Sequence, residues 1–557
     1  MKRDLVGLSE NEYDVLVIGA GIHGAWIALD ASLRGLSVAI VDKGDFGSAT
    51  SSNTMKIIHG GLRYLQQADF YRMRQSIRER SILMSVAPHL VHPLPFLIPT
   101  YGHSVYGREV MSLALAVNDL IGFDRNRMIK DPKKQIPRGR VISREECLRL
   151  FPGVDERGLT GGAIWYDCQM YNSERLLISV LRSAEEKGAQ IANYVEVVGF
   201  LSYGNRIQGV RAIDRLGGER LDIRARVVVN TSGPWVGCVL NLLGSKAKKP
   251  KIFLSKAMNL VLNRQIIPDY GVGLRSRFKN NNSLINRKAR LLFITPWRNC
   301  SLIGTVYSPY EGSPDGLNIS EEDIESFVNE INEVYPYASV SLKDVSFIHR
   351  GLVPVDEIGI NGDIKLAERY RIWDHARGEG IEGLLSVVGV KYTTARAVAK
   401  EVIDLVFKKL GKTPPGCLTA LTPIYGGCIE DFGEFLSRET GKKVGFLSQE
   451  IMRHLIYNYG SKYDQVLKYI NDNPDMANTV EGALDTIKAE VVYGVREEMA
   501  QKLSDVVFRR TGIGSSGNPG DKALESCALI MARELNWGKE RIRREIEETK
   551  KCFSIGC

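Results

Sequence analysis

The apolar and polar positions of the chain first spell out a strand, a helix and a second strand. Residues 14–18 read as a buried strand, because Val15, Leu16, Val17 and Ile18 follow one another with no polar face between them. Residues 24–34 carry helical texture and stop at Gly35, and residues 37–41 form a second strand that closes on Asp42. Further strands are expected at 189–196, 206–214 and 225–230, the last running into the small-residue turn Thr231-Ser232-Gly233-Pro234. Between 236 and 350 the texture changes. Short β-like runs at 258–262, 291–295 and 301–305 alternate with polar loops, with one helix at 321–334, which predicts an antiparallel sheet inserted into the first domain. Residues 384–390 read as a return strand and 393–410 as a helix. Thr413-Pro414-Pro415-Gly416 marks a linker, and 417–557 is helix-rich and heavily charged.

Composition narrows the class. The chain has 557 residues, 44% hydrophobic and 25% charged, which is the balance of an ordinary soluble globular protein. A formal net charge of +9 suits an anionic ligand, a phosphorylated substrate or an acidic membrane surface, and is too small to argue for nucleic acid. The nine cysteines are widely spaced with no Cys-x-x-Cys pair, so neither a disulfide framework nor a metal site is expected, and reduced thiols point to the cytoplasm. The N-terminus does not read as a signal peptide, and the apolar stretch near 111–117 is too short to span a bilayer, so membrane contact is expected to be peripheral.

Three segments carry candidate chemistry. In Gly19-Ala20-Gly21-Ile22-His23-Gly24, Gly19 permits the tight turn after the strand, Gly21 lets backbone approach a pyrophosphate, and Gly24 lets helix and strand pack closely. The helix start aims its unpaired N–H groups and positive dipole end at the phosphates. Asp42 stands 23 residues after Gly19, where a ribose hydroxyl partner belongs. Alone, such a glycine motif is a weak signal, and its strand–helix–strand context gives it weight. The second segment, 46–65, is rich in hydroxyls and glycines: Thr50, Ser51, Ser52, Lys56, His59, Gly60, Gly61 and Arg63. The plain reading is a polar surface loop, with His59 a satisfied structural histidine. A nicotinamide cofactor has no use for a second cradle here, whereas an extended FAD needs donors for its pyrophosphate and ribityl chain. The third is Gly389-Val390-Lys391-Tyr392-Thr393-Thr394-Ala395-Arg396, a strand end, a glycine and a helix start. The plain reading is a capped helix with a surface lysine. Beside a flavin, its N–H groups and Lys391 would stabilise negative charge on the reduced ring. FAD is therefore the expected cofactor, held by Gly19, Gly21, Gly24, Asp42, Thr50, Ser51, Ser52, Lys56, His59, Gly60, Gly61, Val195, Gly233, Gly389, Lys391, Tyr392 and Thr393. The charged stretch Arg72, Arg74, Arg78, Glu79, Arg80 on a helix after Tyr71 is expected to be a solvated face.

Together these segments resemble the FAD-dependent, aerobic, quinone-linked glycerol-3-phosphate dehydrogenases. His59-Gly60-Gly61-Leu62-Arg63-Tyr64-Leu65 is similar to that family's signature, and the likeness extends through Lys391-Tyr392-Thr393-Thr394, Asn230-Thr231-Ser232-Gly233-Pro234-Trp235, Ile303-Gly304-Thr305 and the helical C-terminal part. The resemblance implies an α/β fold. A doubly wound, Rossmann-like FAD domain would be discontinuous over 1–80, 150–235 and 375–410, an antiparallel-sheet substrate domain would span 81–149 and 236–374, and a helical domain 411–557. It implies oxidation of sn-glycerol 3-phosphate to dihydroxyacetone phosphate, with hydride passing to flavin N5 and electrons onward to a quinone at the cytoplasmic face of the inner membrane. The oligomeric state stays open, a homodimer among the options.

Carried over by position, His59 would polarise or deprotonate the substrate hydroxyl and Lys391 would stabilise the developing alkoxide. Arg63, Tyr64, Thr305 and Arg369 would position the substrate. Two positions depart from the family pattern. Gly351-Leu352-Val353-Pro354 replaces the usual Gly-Leu-Arg-Pro, and Asn259 stands where many members have histidine. Valine cannot replace a bidentate arginine–phosphate contact, so Arg369, with Arg350 or Arg371, would have to serve. Two alternatives stay open: an FAD oxidase or dehydrogenase of another small hydroxy acid or amine, and a non-catalytic flavin-binding or membrane-associated protein.

Overall fold

The computed structural model describes all residues except 104–105, 245–251, 277–290, 360–363, 390, 446, 484 and 555–557. Its first sheet has eight strands. Leu384–Val388, Arg220–Asn230, Glu12–Ile18, Val38–Val41 and Gln190–Ala192 run parallel in that order, and Arg371–Asp374 adds an antiparallel edge. Val195–Tyr203 and Arg206–Asp214 continue antiparallel from Arg220–Asn230. The continuous apolar run of the first strand is explained by two cores. Val15 and Val17 pack with the helices Ile22–Leu33, Ser173–Glu186 and Ala395–Lys409, while Leu16 and Ile18 pack with Phe200, Val210 and Ile223 of the antiparallel extension.

The strand expected at 189–196 is two strands, because the chain turns at Asn193 and Tyr194. Tyr194 has φ 57°, and its hydroxyl donates to Asp505 at 2.7 Å. The expected strand at 225–230 starts earlier, at Arg220, where alternating burial shows one solvated face. The return strand is described as far as Val388, and Val390, in the expected 384–390, lies outside the described residues.

The second sheet has ten strands and is antiparallel apart from the pairing of Gly271–Arg275 with Val91–Tyr101. The runs at 258–262, 291–295 and 301–305 lie inside the longer strands Phe253–Leu262, Leu291–Trp297 and Cys300–Tyr310. Leu159–Met170 pairs along Val91–Tyr101 and so belongs to this sheet, although it falls within the span 150–235. Ile57–Ile58 joins the far edge of the same sheet. Conversely, Arg371–Asp374 joins the first sheet. The helix Glu321–Val334 begins at a Ser320/Asp323 capping box.

No helix or strand occurs from Gly411 to Asp431, and helices then pack around Leu455, Ile456, Val491, Val506, Leu524 and Cys527. The expectation of a solvated charged face after Tyr71 holds for Arg78, which is exposed, but is overturned for three of its residues. Arg72, Glu79 and Arg80 of the helix Phe70–Val86 are buried. Glu79 takes two hydrogen bonds from Arg396, Arg80 meets Asp167 at 3.3 Å, and Arg72 meets Asp69 at 2.6 Å. Among the described residues no helix is long and apolar enough to cross a membrane.

Candidate active site

The glycine loop lies at the C-terminal end of the central strand. Gly19 has φ 98°, and a β-carbon there would stand 2.8 Å from the Ser232 α-carbon and the Thr231 carbonyl. A β-carbon at Gly24 would meet the Gly19 carbonyl at 1.9 Å, so helix and strand approach as closely as backbone allows. Gly21 caps the helix without a side-chain bond, and the Ile22 N–H donates to Ser51 Oγ at 3.0 Å. Asp42 accepts N–H bonds from Ala20 at 2.7 Å and Gly44 at 2.9 Å, and burial pushes its carboxyl up to about 6. Its carboxylate retains lone pairs for ribose hydroxyls. Val195 donates its N–H to the Asp42 carbonyl at 2.7 Å, and so holds the strand end on which that carboxylate sits. Gly233 has φ 57° and open space beside it. These features fit a dinucleotide pyrophosphate.

The loop after Phe46 is tied from within. Thr50 Oγ1 donates to the Leu352 carbonyl at 2.9 Å and Ser52 Oγ to the Gly47 carbonyl at 2.7 Å. Lys56, expected among the cofactor's donors, commits its ammonium to the protein. It reaches the Ser52 carbonyl and Ser173 Oγ at 2.8 Å and Glu174 Oε1 at 2.6 Å, so all three hydrogens are spoken for. Tyr392 anchors to the same helix start, donating to the Ser173 carbonyl at 2.7 Å. A cavity of about 450 Å³ beside this loop is lined by Ser48, Thr50, Ser52, Asn53, His349 and Arg350, among others. Arg350, expected as a substitute phosphate ligand, therefore faces the cofactor loop, where its main-chain N–H donates to Asn53 Oδ1 at 3.2 Å. Arg371, the other substitute, pairs with Asp356.

The third corner gathers His59, Arg63, Tyr64, Arg72 and Lys391. Gly61, at φ 83°, turns the chain into the short helix Leu62–Gln67 and buries Tyr64 to 1% exposure. The Lys391 ammonium sits 4.2 Å from the Tyr64 ring centroid, and the Arg72 and Arg63 guanidiniums stand at 4.8 and 5.5 Å. Burial, helped by Arg63 and Arg72, lowers Lys391 to about 7. The His59 ring packs edge-on to Tyr64 at 5.9 Å, the main-chain N–H of His59 donates to Thr393 Oγ1 at 3.3 Å, and the ring Nδ1 is sequestered without a partner. Burial first, then Lys391, Arg63 and Arg80, hold His59 well below the usual imidazole range, so it is neutral. The Gly60 N–H donates to Asp167, which Trp165 also bonds, and a β-carbon at Gly60 would run into Arg80. Arg369 reaches Asp69 at 3.5 Å, and Arg72 donates to the Glu368 carbonyl at 3.0 Å.

His59, Arg63, Tyr64, Arg369 and Lys391 are thus brought to one corner. Thr305 and Asn259 pair with each other, Thr305 Oγ1 donating to Asn259 Oδ1 at 2.7 Å. Asn259 and Met55 fill the space a side chain at Gly304 would need. Sequence reasoning missed Arg72, Asp69, Glu368, Asp167 and Arg80 as parts of this corner. The two arginines were visible only as helix charges.

Residues 14–405 match the family of FAD dependent oxidoreductases, and residues 417–542 match the C-terminal domain of alpha-glycerophosphate oxidase. A glycerol-3-phosphate dehydrogenase of Synechocystis sp. is 32% identical over 100% of this chain and 99% of its own length. An aerobic glycerol-3-phosphate dehydrogenase of Staphylococcus epidermidis is 31% identical over 92% of this chain and 89% of its own. The X-ray structure of the Bacillus halodurans glycerol-3-phosphate dehydrogenase complexed with FAD has a TM-score of 0.78 at 26% identity, covering 99% of this chain and 96% of that one.

Proposed function

The chain belongs to the FAD-dependent glycerol-3-phosphate dehydrogenase family, and from that premise we propose that it oxidises sn-glycerol 3-phosphate to dihydroxyacetone phosphate and passes the electrons to a quinone. FAD is the cofactor, and Gly19, Gly21, Asp42 and the first turn of the helix Ile22–Leu33 would hold its phosphate end. Bound FAD supplies the acceptor for the substrate's C2 hydrogen and its bonding pair.

The observation that carries the reading is the charge around Tyr64. Arg63, Arg72 and Lys391 stand against the ring, Arg369 reaches the adjoining Asp69 at 3.5 Å, and Asp69 and Glu368 offset them. With Lys391 protonated, that leaves a surplus of two positive charges for a phosphate dianion. This surplus supports phosphate binding in a chain that has Val353 where the family has arginine. Neutral His59 takes the C2 hydroxyl proton while the Lys391 ammonium stabilises the alkoxide character that develops. Asn259, its Oδ1 occupied by Thr305, presents its amide hydrogens as donors and cannot act as a base. Anaerobic addition of millimolar glycerol 3-phosphate should bleach the flavin spectrum, and an unchanged spectrum overturns the substrate assignment.

A quinone acceptor needs access to lipid. The helix Arg108–Ile121 turns Val110, Leu113 and Leu120 outward, with Phe123 beyond its end, at a spacing of one helix face. Leu113, Leu120 and Phe123 are 67%, 74% and 78% exposed, and Phe70 and Tyr71 are exposed as well. Arg78, Arg108 and Arg127 are exposed nearby in sequence. An exposed apolar face with basic residues near it in sequence fits an anionic lipid surface at the cytoplasmic face of the membrane. Ile121, the last residue of this helix, packs with the Tyr64 cluster.

Val353 and Asn259 favour a second reading, oxidation of another small hydroxy acid or amine. A substrate panel scored by dye reduction and peroxide release separates the two.

A further inference from the structure

We infer that His23 is a positioning residue for the flavin cofactor, its imidazole hydrogen-bonding bound FAD at the junction between the glycine loop and the Lys391 segment. The inference rests on FAD dependence and not on the identity of the substrate.

His23 is the second residue of the helix Ile22–Leu33, inside the glycine motif but not one of its glycines. Its ring lies where a side chain at Gly389 would be. A β-carbon on Gly389 would stand 2.0 Å from His23 Cε1 and 2.1 Å from Nε2. Gly389 follows the strand Leu384–Val388 and precedes Lys391 by two residues. One imidazole thus bridges the segment that meets the pyrophosphate and the segment that ends in the lysine of the catalytic corner.

One ring nitrogen makes no use of this placement within the protein. Nε2 is buried and has no hydrogen-bond partner. Burial alone lowers the imidazole to about 4, with no charged neighbour contributing, so it is neutral there. A buried, unpaired nitrogen is destabilising unless a partner arrives. A neutral imidazole can donate or accept, by tautomer, and so suits any of the polar atoms of a flavin nucleotide, whether phosphate, ribityl or ring. First-turn N–H groups lie at the same end of the helix, where Gly21 offers no side-chain cap and Ser51 takes the Ile22 N–H.

The test uses the full chain with His23→Leu and His23→Asn, stripped of FAD and reconstituted. Three quantities are read: thermal unfolding of the apoprotein, the FAD dissociation constant from flavin fluorescence, and the midpoint potential of the bound flavin from dye equilibration. The leucine variant should unfold at or above the wild-type temperature, bind FAD about tenfold more weakly and show a shifted potential. Asparagine, which keeps a polar group at that position, should recover most of both. Wild-type affinity and potential in the leucine variant overturn the proposal. So does equal loss of FAD in both variants together with lowered apoprotein stability, which marks a packing role. None of these readouts involves glycerol 3-phosphate, so failure of the substrate assignment leaves them standing.

Discussion

At the scale of single residues, Lys391 is expected to set the pH dependence of the proposed reaction. Its ammonium is held down to about 7 by burial and by Arg63 and Arg72, so it is charged below that pH and neutral above it. If the charge is needed for the dianionic substrate and its alkoxide, kcat/KM of the free enzyme falls as pH rises through about 7. Lys391→Met should lower kcat/KM by about 10²–10³, the usual cost of one oriented charge-stabilising donor, and should abolish that limb. Lys391→Arg should move the limb out of the measurable range, because a guanidinium stays charged. A limb near 7 that survives both substitutions assigns it to another group. His59 differs in kind. It is neutral across the whole range, so its replacement by Gln should lower kcat without moving the limb.

At the scale of elements, the helix Arg108–Ile121 allows a separation of chemistry from location. Leu113→Glu with Phe123→Glu places carboxylates on the exposed face without touching the Tyr64 corner. The double variant should lose co-sedimentation with anionic vesicles and lose quinone reduction, while glycerol 3-phosphate still reduces a soluble dye at the wild-type rate. Vesicle binding that persists at low salt removes this helix from the lipid contact. The same scale shows what the sequence made legible. The glycine loop, the Glu321–Val334 helix and the parallel strands were readable because their signals are local: an apolar run, a cap, a turn. The helix Phe70–Val86 was misread because the partners that bury its charges, Arg396 for Glu79 and Asp167 for Arg80, lie far along the chain. Lys56 was misread for the same reason, since Ser173 and Glu174 claim its hydrogens only after the helix Ser173–Glu186 docks. His23 and Gly389 each stood in plain view within a motif, but that the two meet was not legible.

At the scale of the whole molecule, the C-terminal helices hold the cofactor loop by charge. Asp45 lies three residues after Asp42, fully buried. It accepts bonds from Arg509, from Arg510 at 2.9 and 2.8 Å, and from Asn193 at 3.0 Å. Arg510 also donates to the Glu498 carbonyl at 2.9 Å, and Glu498 pairs with Arg175 at 2.5 Å on the helix that carries Glu174 and so holds Lys56. The loop from Asp45 to Lys56 is thus fixed at both ends by groups that reach the C-terminal domain. Burial alone would raise the Asp45 carboxyl, but Arg510 and Arg509 outweigh it and hold it well below the ordinary range. The stabilisation is therefore fully present above the unfolded value of about 4 and is lost as pH falls through the depressed folded value. Asp45→Asn leaves two arginines buried beside a neutral amide, which for a pair of this kind costs about 3–5 kcal/mol. The variant should unfold at lower denaturant and release FAD at concentrations where the wild type retains it, although neither Asp45 nor the arginines reach the Tyr64 corner. Arg510→Met should do the same through the other partner, and the double variant should be less damaging than the two single losses added together, because each removes the same interaction. Additive losses would show that the two domains are joined elsewhere and that the C-terminal helices leave FAD binding to the loop alone.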